Sequence, residues 1–81
     1  MKLTVKLFAF LSEELGSEVI VDLPARTTIT DIKAALANDD QQIKAILADS
    51  RVAVNQEFVN NEQLTLTPSD EIAIIPPVSG G

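Results

Sequence analysis

The sequence predicts an α+β fold: a mixed sheet with one main helix packed across one face. Three observations carry this. Residues 2–9 alternate, with Leu3, Val5 and Leu7 on one side and Lys2, Thr4 and Lys6 on the other, which marks a strand with one buried face. Residues 28–37 place Ile29, Ile32 and Leu36 on one helical face, with Ala35 beside them. Residues 71–75 alternate again and run into Pro76-Pro77, a pair that cannot continue a strand ladder.

Each element follows from its local chemistry. The alternation of the first strand gives way at Phe8 and Phe10. Leu11 and Leu15 are four apart and Gly16 follows, which predicts one helical turn with a glycine stop. Residues 18–23, EVIVDL, form a second strand that ends at Pro24 and pairs back on the first. Thr28 is the expected N-cap of the main helix, and Asp31 places a carboxylate in its first turn. Asn38-Asp39-Asp40 breaks that helix. A second, weaker one spans about residues 41–48, with Ile43, Ile46 and Leu47 inward. RVAVN, residues 51–55, reads as a third strand, and residues 56–59 as extended chain or a short strand. Asn60-Asn61 signals a turn, Leu64 and Leu66 pin a short segment to the core, and Pro68-Ser69-Asp70 signals another turn. The order ββαββ, with a last strand returning to the centre, is the β-grasp arrangement, and its first and last strands are expected to be parallel neighbours. The expected division is a domain over residues 1–75 and an extended tail over residues 76–81.

Composition narrows the function. The 81 residues suit a single domain. With no cysteine, neither a disulfide nor a thiolate metal site can brace it, and 46% hydrophobic residues must supply the core. No start resembling a secretion signal and no stretch of membrane-spanning length is present, so the expected location is the cytoplasm. Twelve acidic residues against six basic ones give a net charge of −6, which argues against nucleic acid as a partner. That charge serves solubility and can also steer the chain towards a basic protein surface.

The common catalytic groups are missing. The chain has no His, Cys, Tyr or Trp, hence no imidazole base, no thiolate nucleophile and no soft metal ligand. Its serines have no histidine to activate them. Lys33 and Lys44 read as solvated helix residues. Glu13-Glu14 and Asp39-Asp40 are adjacent pairs, and adjacent residues do not face each other on a helix, so they read as solvated ends or caps. With Gly16, Gly80 and Gly81 as the only glycines, there is no phosphate-cradling loop. On this inventory the chain is not an enzyme on its own, and no bound cofactor is expected.

One reactive group remains, the terminal carboxylate of Gly81, with a pKa of roughly 3.3 to 3.7 and hence ionised at neutral pH. Gly80 and Gly81 can pass a narrow channel, and Pro76 and Pro77 favour an extended exit from the last strand. Six extended residues reach about 20 Å at most, enough to enter another protein's active site. A carboxylate so presented can attack the α-phosphate of ATP held by another protein. A terminal Gly-Gly by itself can equally be an inert end. What strengthens it is the approach Pro76-Pro77-Val78-Ser79, a strand running into stiff and then small residues.

Side-chain parity predicts a surface beside that tail. If Leu3, Val5 and Leu7 face the helix, Phe8 faces away, as do Ala53 in the third strand and Ala73 and Ile75 in the last. These four form an uncharged patch suited to a protein partner. The alternative is that Phe8 bends inward to fill the core edge.

The segments VKLFAFLSEELG, SRVAVNQEFV and DEIAIIPPVSGG together resemble the small-subunit family of molybdopterin synthase, ubiquitin-like β-grasp sulfur carriers. The resemblance implies a cycle. A ubiquitin-activating-like adenylyltransferase uses ATP to convert the C-terminal glycine carboxylate to an acyl-adenylate. A sulfur donor protein then displaces AMP, leaving a thiocarboxylate. The tail enters the large synthase subunit and passes its sulfur to a cyclic pyranopterin phosphate, and two such transfers build a dithiolene. By position, Gly81 is the residue modified, Gly80 lets it thread the channel, and Pro76, Pro77, Val78 and Ser79 form the approach. The implied assembly has two copies of each chain. Ser12 stands where relatives often carry Arg, and Pro68-Ser69-Asp70 replaces a commoner Asp-Gly-Asp turn. Other readings are a carrier for thiamine or a modified tRNA base, a protein modifier joined to lysine, and a plain binding module with an inert tail.

Overall fold

The computed structural model describes residues 1–77. Its elements run β1 (Lys2–Leu7), α1 (Ala9–Leu15), β2 (Glu18–Asp22), β3 (Arg26–Thr28), α2 (Ile29–Ala37), α3 (Gln41–Ala48), β4 (Arg51–Val54), β5 (Glu57–Phe58), β6 (Gln63–Thr65) and β7 (Ile72–Ile75). Five strands make a mixed sheet in the order β2-β1-β7-β4-β5, and β3 pairs with β6 in a separate two-stranded ribbon. β1 and β7 are parallel neighbours with Val5 opposite Ile72 and Leu7 opposite Ile74, as the β-grasp reading expects.

One face of the sheet and the helices enclose the core. Leu3, Val5 and Leu7 of β1, Ile72 and Ile74 of β7 and Val52 of β4 are buried against Leu11, Ile32, Leu36, Ile43 and Leu47. Period-2 and period-3.6 patterns thus meet on one apolar layer.

The α2 N-terminus is closed by three separate acceptors. Thr28 Oγ1 accepts from the Asp31 N–H at 3.0 Å, Glu62 Oε1 from Thr30 N–H at 2.8 Å, and the Glu62 carbonyl from Ile29 N–H at 2.8 Å. Hydrogen bonds from Thr30, side chain and backbone, hold the Glu62 carboxyl below its ordinary range, and the charge of Lys33 adds to this. Asp40 caps α3, its Oδ1 accepting from Gln42 N–H and Ile43 N–H at 2.9 and 3.1 Å. The Asp39-Asp40 pair is therefore partly a helix cap.

The structure departs from the expectations in five places. β1 ends at Leu7, because the chain turns at Phe8 and Ala9 takes a positive φ of 53°. The single expected turn of helix is the seven-residue α1, closed by Gly16 at φ 99° with its N–H on the Ser12 carbonyl. Ala35 is exposed and Ala37 takes the buried position on α2. Lys33 is half-buried rather than solvated, its Nζ donating to the Ser50 carbonyl at 2.9 Å. The short strand allowed over residues 56–59 is β5, but the chain reaches it through a hairpin turn at Asn55-Gln56, both at positive φ, that the sequence reading does not place.

Candidate functional site

The sheet's second face is not covered by a helix, and its register determines what it displays. Side chains of paired residues share a face. Lys6 pairs with Ala73, Ala73 with Ala53, and Ala53 with Phe58, so one row crosses four strands. The two alanines lie in the middle of that row and leave a depression between larger neighbours. The next position towards the end of β7 pairs Ile75 with Arg51, and Phe8 stands beside them at the end of β1.

The result is an open groove of about 260 Å³ lined by Lys6, Phe8, Ala53, Gln56, Phe58, Glu71, Ala73 and Ile75. All four residues expected on the outer face line it. Phe8 is 46% exposed and does not bend into the core. Ala73 and Ile75 are half-buried. Ala53 points outward as parity requires but is only 6% exposed, because its small side chain lies on the groove floor beside larger residues.

Sequence reasoning missed Phe58, which is 49% exposed and forms the far wall. Its signal was the Ala53–Phe58 register, which becomes readable only once the Asn55-Gln56 turn is recognised. Arg51 stacks its guanidinium 3.9 Å from the Phe58 ring centroid, a cation–π contact that orients the ring. Lys6 Nζ lies 3.2 Å from Glu71 Oε2. The pair is well solvated, so it contributes little to stability and chiefly sets charge placement on the rim.

The groove adjoins the root of the tail. Ile75 ends β7, Pro76 is half-buried and Pro77 exposed. The expected site residues Val78, Ser79, Gly80 and Gly81 lie outside the described residues. Two larger open cavities occur on the helical side, about 370 Å³ between α2 and α3 and about 560 Å³ along the β3–β6 ribbon. Neither is lined by residues of β7. Among the described residues there is no group of three or more His, Cys, Asp or Glu side chains placed to hold a metal ion, and no helix is long and apolar enough to cross a membrane.

Comparison with known proteins matches residues 5–81 to the ThiS family. The chain is 40% identical over 80 residues to the molybdopterin synthase sulfur carrier subunit of Dictyostelium discoideum, covering 95% of this chain and 93% of that protein. It is 39% identical over 71 residues to the human protein of the same name, covering 65% of this chain and 81% of that one. Among solved structures, SAMP1 from Haloferax volcanii superposes with a TM-score of 0.73 at 28% identity, covering the whole of both chains. The matched span begins inside β1, takes in every later strand of the groove and continues through the Gly-Gly end, so this chain belongs to the ThiS family.

Proposed function

We propose that this chain is the sulfur carrier subunit of a molybdopterin synthase. One observation carries the reading: similarity to a molybdopterin synthase sulfur carrier subunit covers 95% of the chain, and the ThiS family match over residues 5–81 takes in the groove strands and the Pro-Pro-Val-Ser-Gly-Gly sequence. Residues 1–75 act as a presenting domain and residues 76–81 as the working tail.

In this reading the chemistry occurs at Gly81. Its carboxylate oxygen attacks the α-phosphate of ATP held by an adenylating enzyme of the ubiquitin-activating type, and pyrophosphate leaves. The acyl-adenylate is an electrophile, and a sulfide-equivalent nucleophile from a sulfur donor protein attacks the acyl carbon while AMP departs. The thiocarboxylate so formed is ionised at neutral pH, and its sulfur is the nucleophile delivered to the cyclic pyranopterin phosphate. Phosphate-binding groups and bases come from the partners, which fits a chain without His, Cys or a phosphate loop. Gly80 lets the tip thread a channel, and Pro76, Pro77, Val78 and Ser79 space it from the domain.

Phe8, Ala53, Phe58, Ala73 and Ile75 are the docking surface for the large synthase subunit. An apolar floor next to the tail's root lets one binding event both hold the domain and aim the tip. The net charge of −6 suits a partner whose site must bind a phosphorylated pterin and is therefore basic.

Incubation with the adenylating enzyme, ATP and a sulfur donor is the test. The carrier's mass should rise by one oxygen-to-sulfur exchange, localised to Gly81, and the large subunit should co-purify with it at two copies of each chain. A variant capped as a C-terminal amide should do neither chemical step. Mass unchanged with a competent enzyme present would overturn the reading. The 28% identity to SAMP1, a small archaeal modifier protein, favours a second reading as a protein modifier. A lysine-linked adduct in place of the thiocarboxylate would select it.

A further inference from the structure

The β4–β5 hairpin is held to the start of β7 by one residue. Asn55 follows the last ladder pair, Val54 opposite Ile72, and its backbone turns away at φ 52°. The Asn55 N–H still donates to the Glu71 carbonyl at 2.8 Å. Its side chain then takes over. Asn55 Oδ1 accepts from Glu71 N–H at 2.9 Å, and Asn55 Nδ2 donates to Asp70 Oδ1 at 2.9 Å. A carboxamide offers one acceptor and one donor, as a peptide unit does. It thereby continues the β4–β7 ladder beyond the point where the main chain has left it. The other Asp70 oxygen, Oδ2, accepts from Thr67 N–H at 2.9 Å, so the clasp also ties in the Pro68-Ser69 turn. These bonds, Asn55 first and Thr67 second, hold the Asp70 carboxyl below its ordinary range and keep it an acceptor.

The hairpin needs this support. β5 has two residues at the sheet's edge, Glu57 and Phe58, and it pairs only with β4. So short a hairpin is marginal without tertiary anchoring. Yet Phe58 forms the far wall of the groove, and Glu71 and Gln56 form its lower rim. All three lie within three residues of an end of the clasp.

We propose that Asn55 is a positioning residue for partner docking: through Asp70 and Glu71 it fixes the β4–β5 hairpin on β7 and so holds Phe58 as a preformed wall of the groove. This rests on the reading of the groove as the docking surface for the large synthase subunit. Among the described residues, the hydrogen bonds of Asn55 go to Asp70 and Glu71. Its effect reaches binding through Phe58.

The test uses Asn55→Gly, Phe58→Ala and the double variant of the full chain. Glycine accepts the positive φ, so the turn survives and only the side-chain bonds are lost. Asn55→Gly should bind the large subunit about tenfold more weakly, the equivalent of one to two net hydrogen bonds lost from preorganisation. Its core amides should exchange as in the parent, while Val59, whose N–H donates to Val52 across the hairpin, should exchange about tenfold faster. Phe58→Ala should also weaken binding, and the double variant should bind no worse than Phe58→Ala. If Asn55→Gly does not fold, Asp70→Ala removes the acceptor of Asn55 Nδ2 and makes the same comparison. Parent-like binding of Asn55→Gly alongside weakened binding of Phe58→Ala overturns the role of Asn55 alone, as does additivity in the double variant. Parent-like binding of both Phe58→Ala and Phe8→Asp overturns the groove reading beneath it.

Discussion

Replacing Phe8 with Asp separates docking from folding. Phe8 is 46% exposed, so about half of its side chain's burial is at stake. Full burial of such a side chain contributes about 1.5–3 kcal/mol, which puts the loss at about 1–1.5 kcal/mol. An opposing gain comes from position. Phe8 is the N-cap of α1, in extended conformation, and makes no side-chain cap bond. Aspartate is among the best N-cap residues, and the difference from an apolar cap is about 0.5–2 kcal/mol. The two effects nearly cancel, so the melting temperature should move by no more than about 8 °C in either direction for a domain of this size. Binding has no such compensation. The substitution removes an aromatic wall and puts a carboxylate where an apolar partner must pack, and losing a central aromatic anchor costs about 2–4 kcal/mol, or roughly 30- to 1,000-fold in Kd. The assay is a thermal melt by circular dichroism beside calorimetric titration with the large subunit. Loss of the folded spectrum would place Phe8 in the core. A folded variant with parent-like Kd would remove Phe8 from the docking surface, and parent-like binding of Phe58→Ala beside it would refute the groove reading.

Two further outcomes follow from capping and titration. Asp40→Ala deletes an acceptor shared by two helix N–H groups and should cost about 1 kcal/mol in urea denaturation, without altering sulfur loading at the tail. Stability should fall on acidification, because Glu62 and Asp70 are held below their ordinary values of 4.5 and 3.8. A depressed folded-state pKa stabilises above the unfolded value, and that contribution disappears as pH falls through the folded one. Melting temperature measured downward from neutral pH should therefore drop from about pH 4.5, and Glu62→Gln should flatten the upper part of that drop. With no histidine in the chain, no inflection is expected between about pH 6 and 7.

The legible parts of this fold are those in which burial leaves a periodic trace. β1 and β7 each have one face at the core, so alternation identifies both and assigns Ala73 and Ile75 to the outer face, with Phe8 outward unless it bends into the core edge. α2 was readable from Thr28 and its apolar stripe. The β3–β6 ribbon was not, because three-residue strands such as Arg26–Thr28 and Gln63–Thr65 are too short to alternate and mostly polar. The Asn55-Gln56 turn was hidden because it lacks the glycine that usually announces positive φ at both central positions. Missing that turn cost the reading Phe58, since the parity of β5 can be counted only from a known register. Parity gives the outward direction of Ala53 but not its burial, which depends on the size of its neighbours across the sheet.

The arrangement of strands explains why a chain without catalytic side chains can still serve a precise transfer. β7 is the strand from which the tail departs, and it lies between β1 and β4, hydrogen-bonded on both sides. Its inward residues, Ile72 and Ile74, are fully buried. Its outward ones, Ala73 and Ile75, line the groove. One four-residue strand therefore anchors in the core on one face, lines the groove on the other and, in the proposed reading, carries the working tail at its end. Opening such a strand requires breaking two ladders and exposing the core, so local fluctuation there approaches the cost of global unfolding. In the proposed reading, a root that fixed limits where a six-residue tail of at most about 20 Å can reach, and docking at the groove makes the tip's encounter with a partner's site intramolecular. An edge strand such as β2 or β5 would have left the tail's origin free to fray. Central placement of β7 is what the fold itself adds to the groove's side chains.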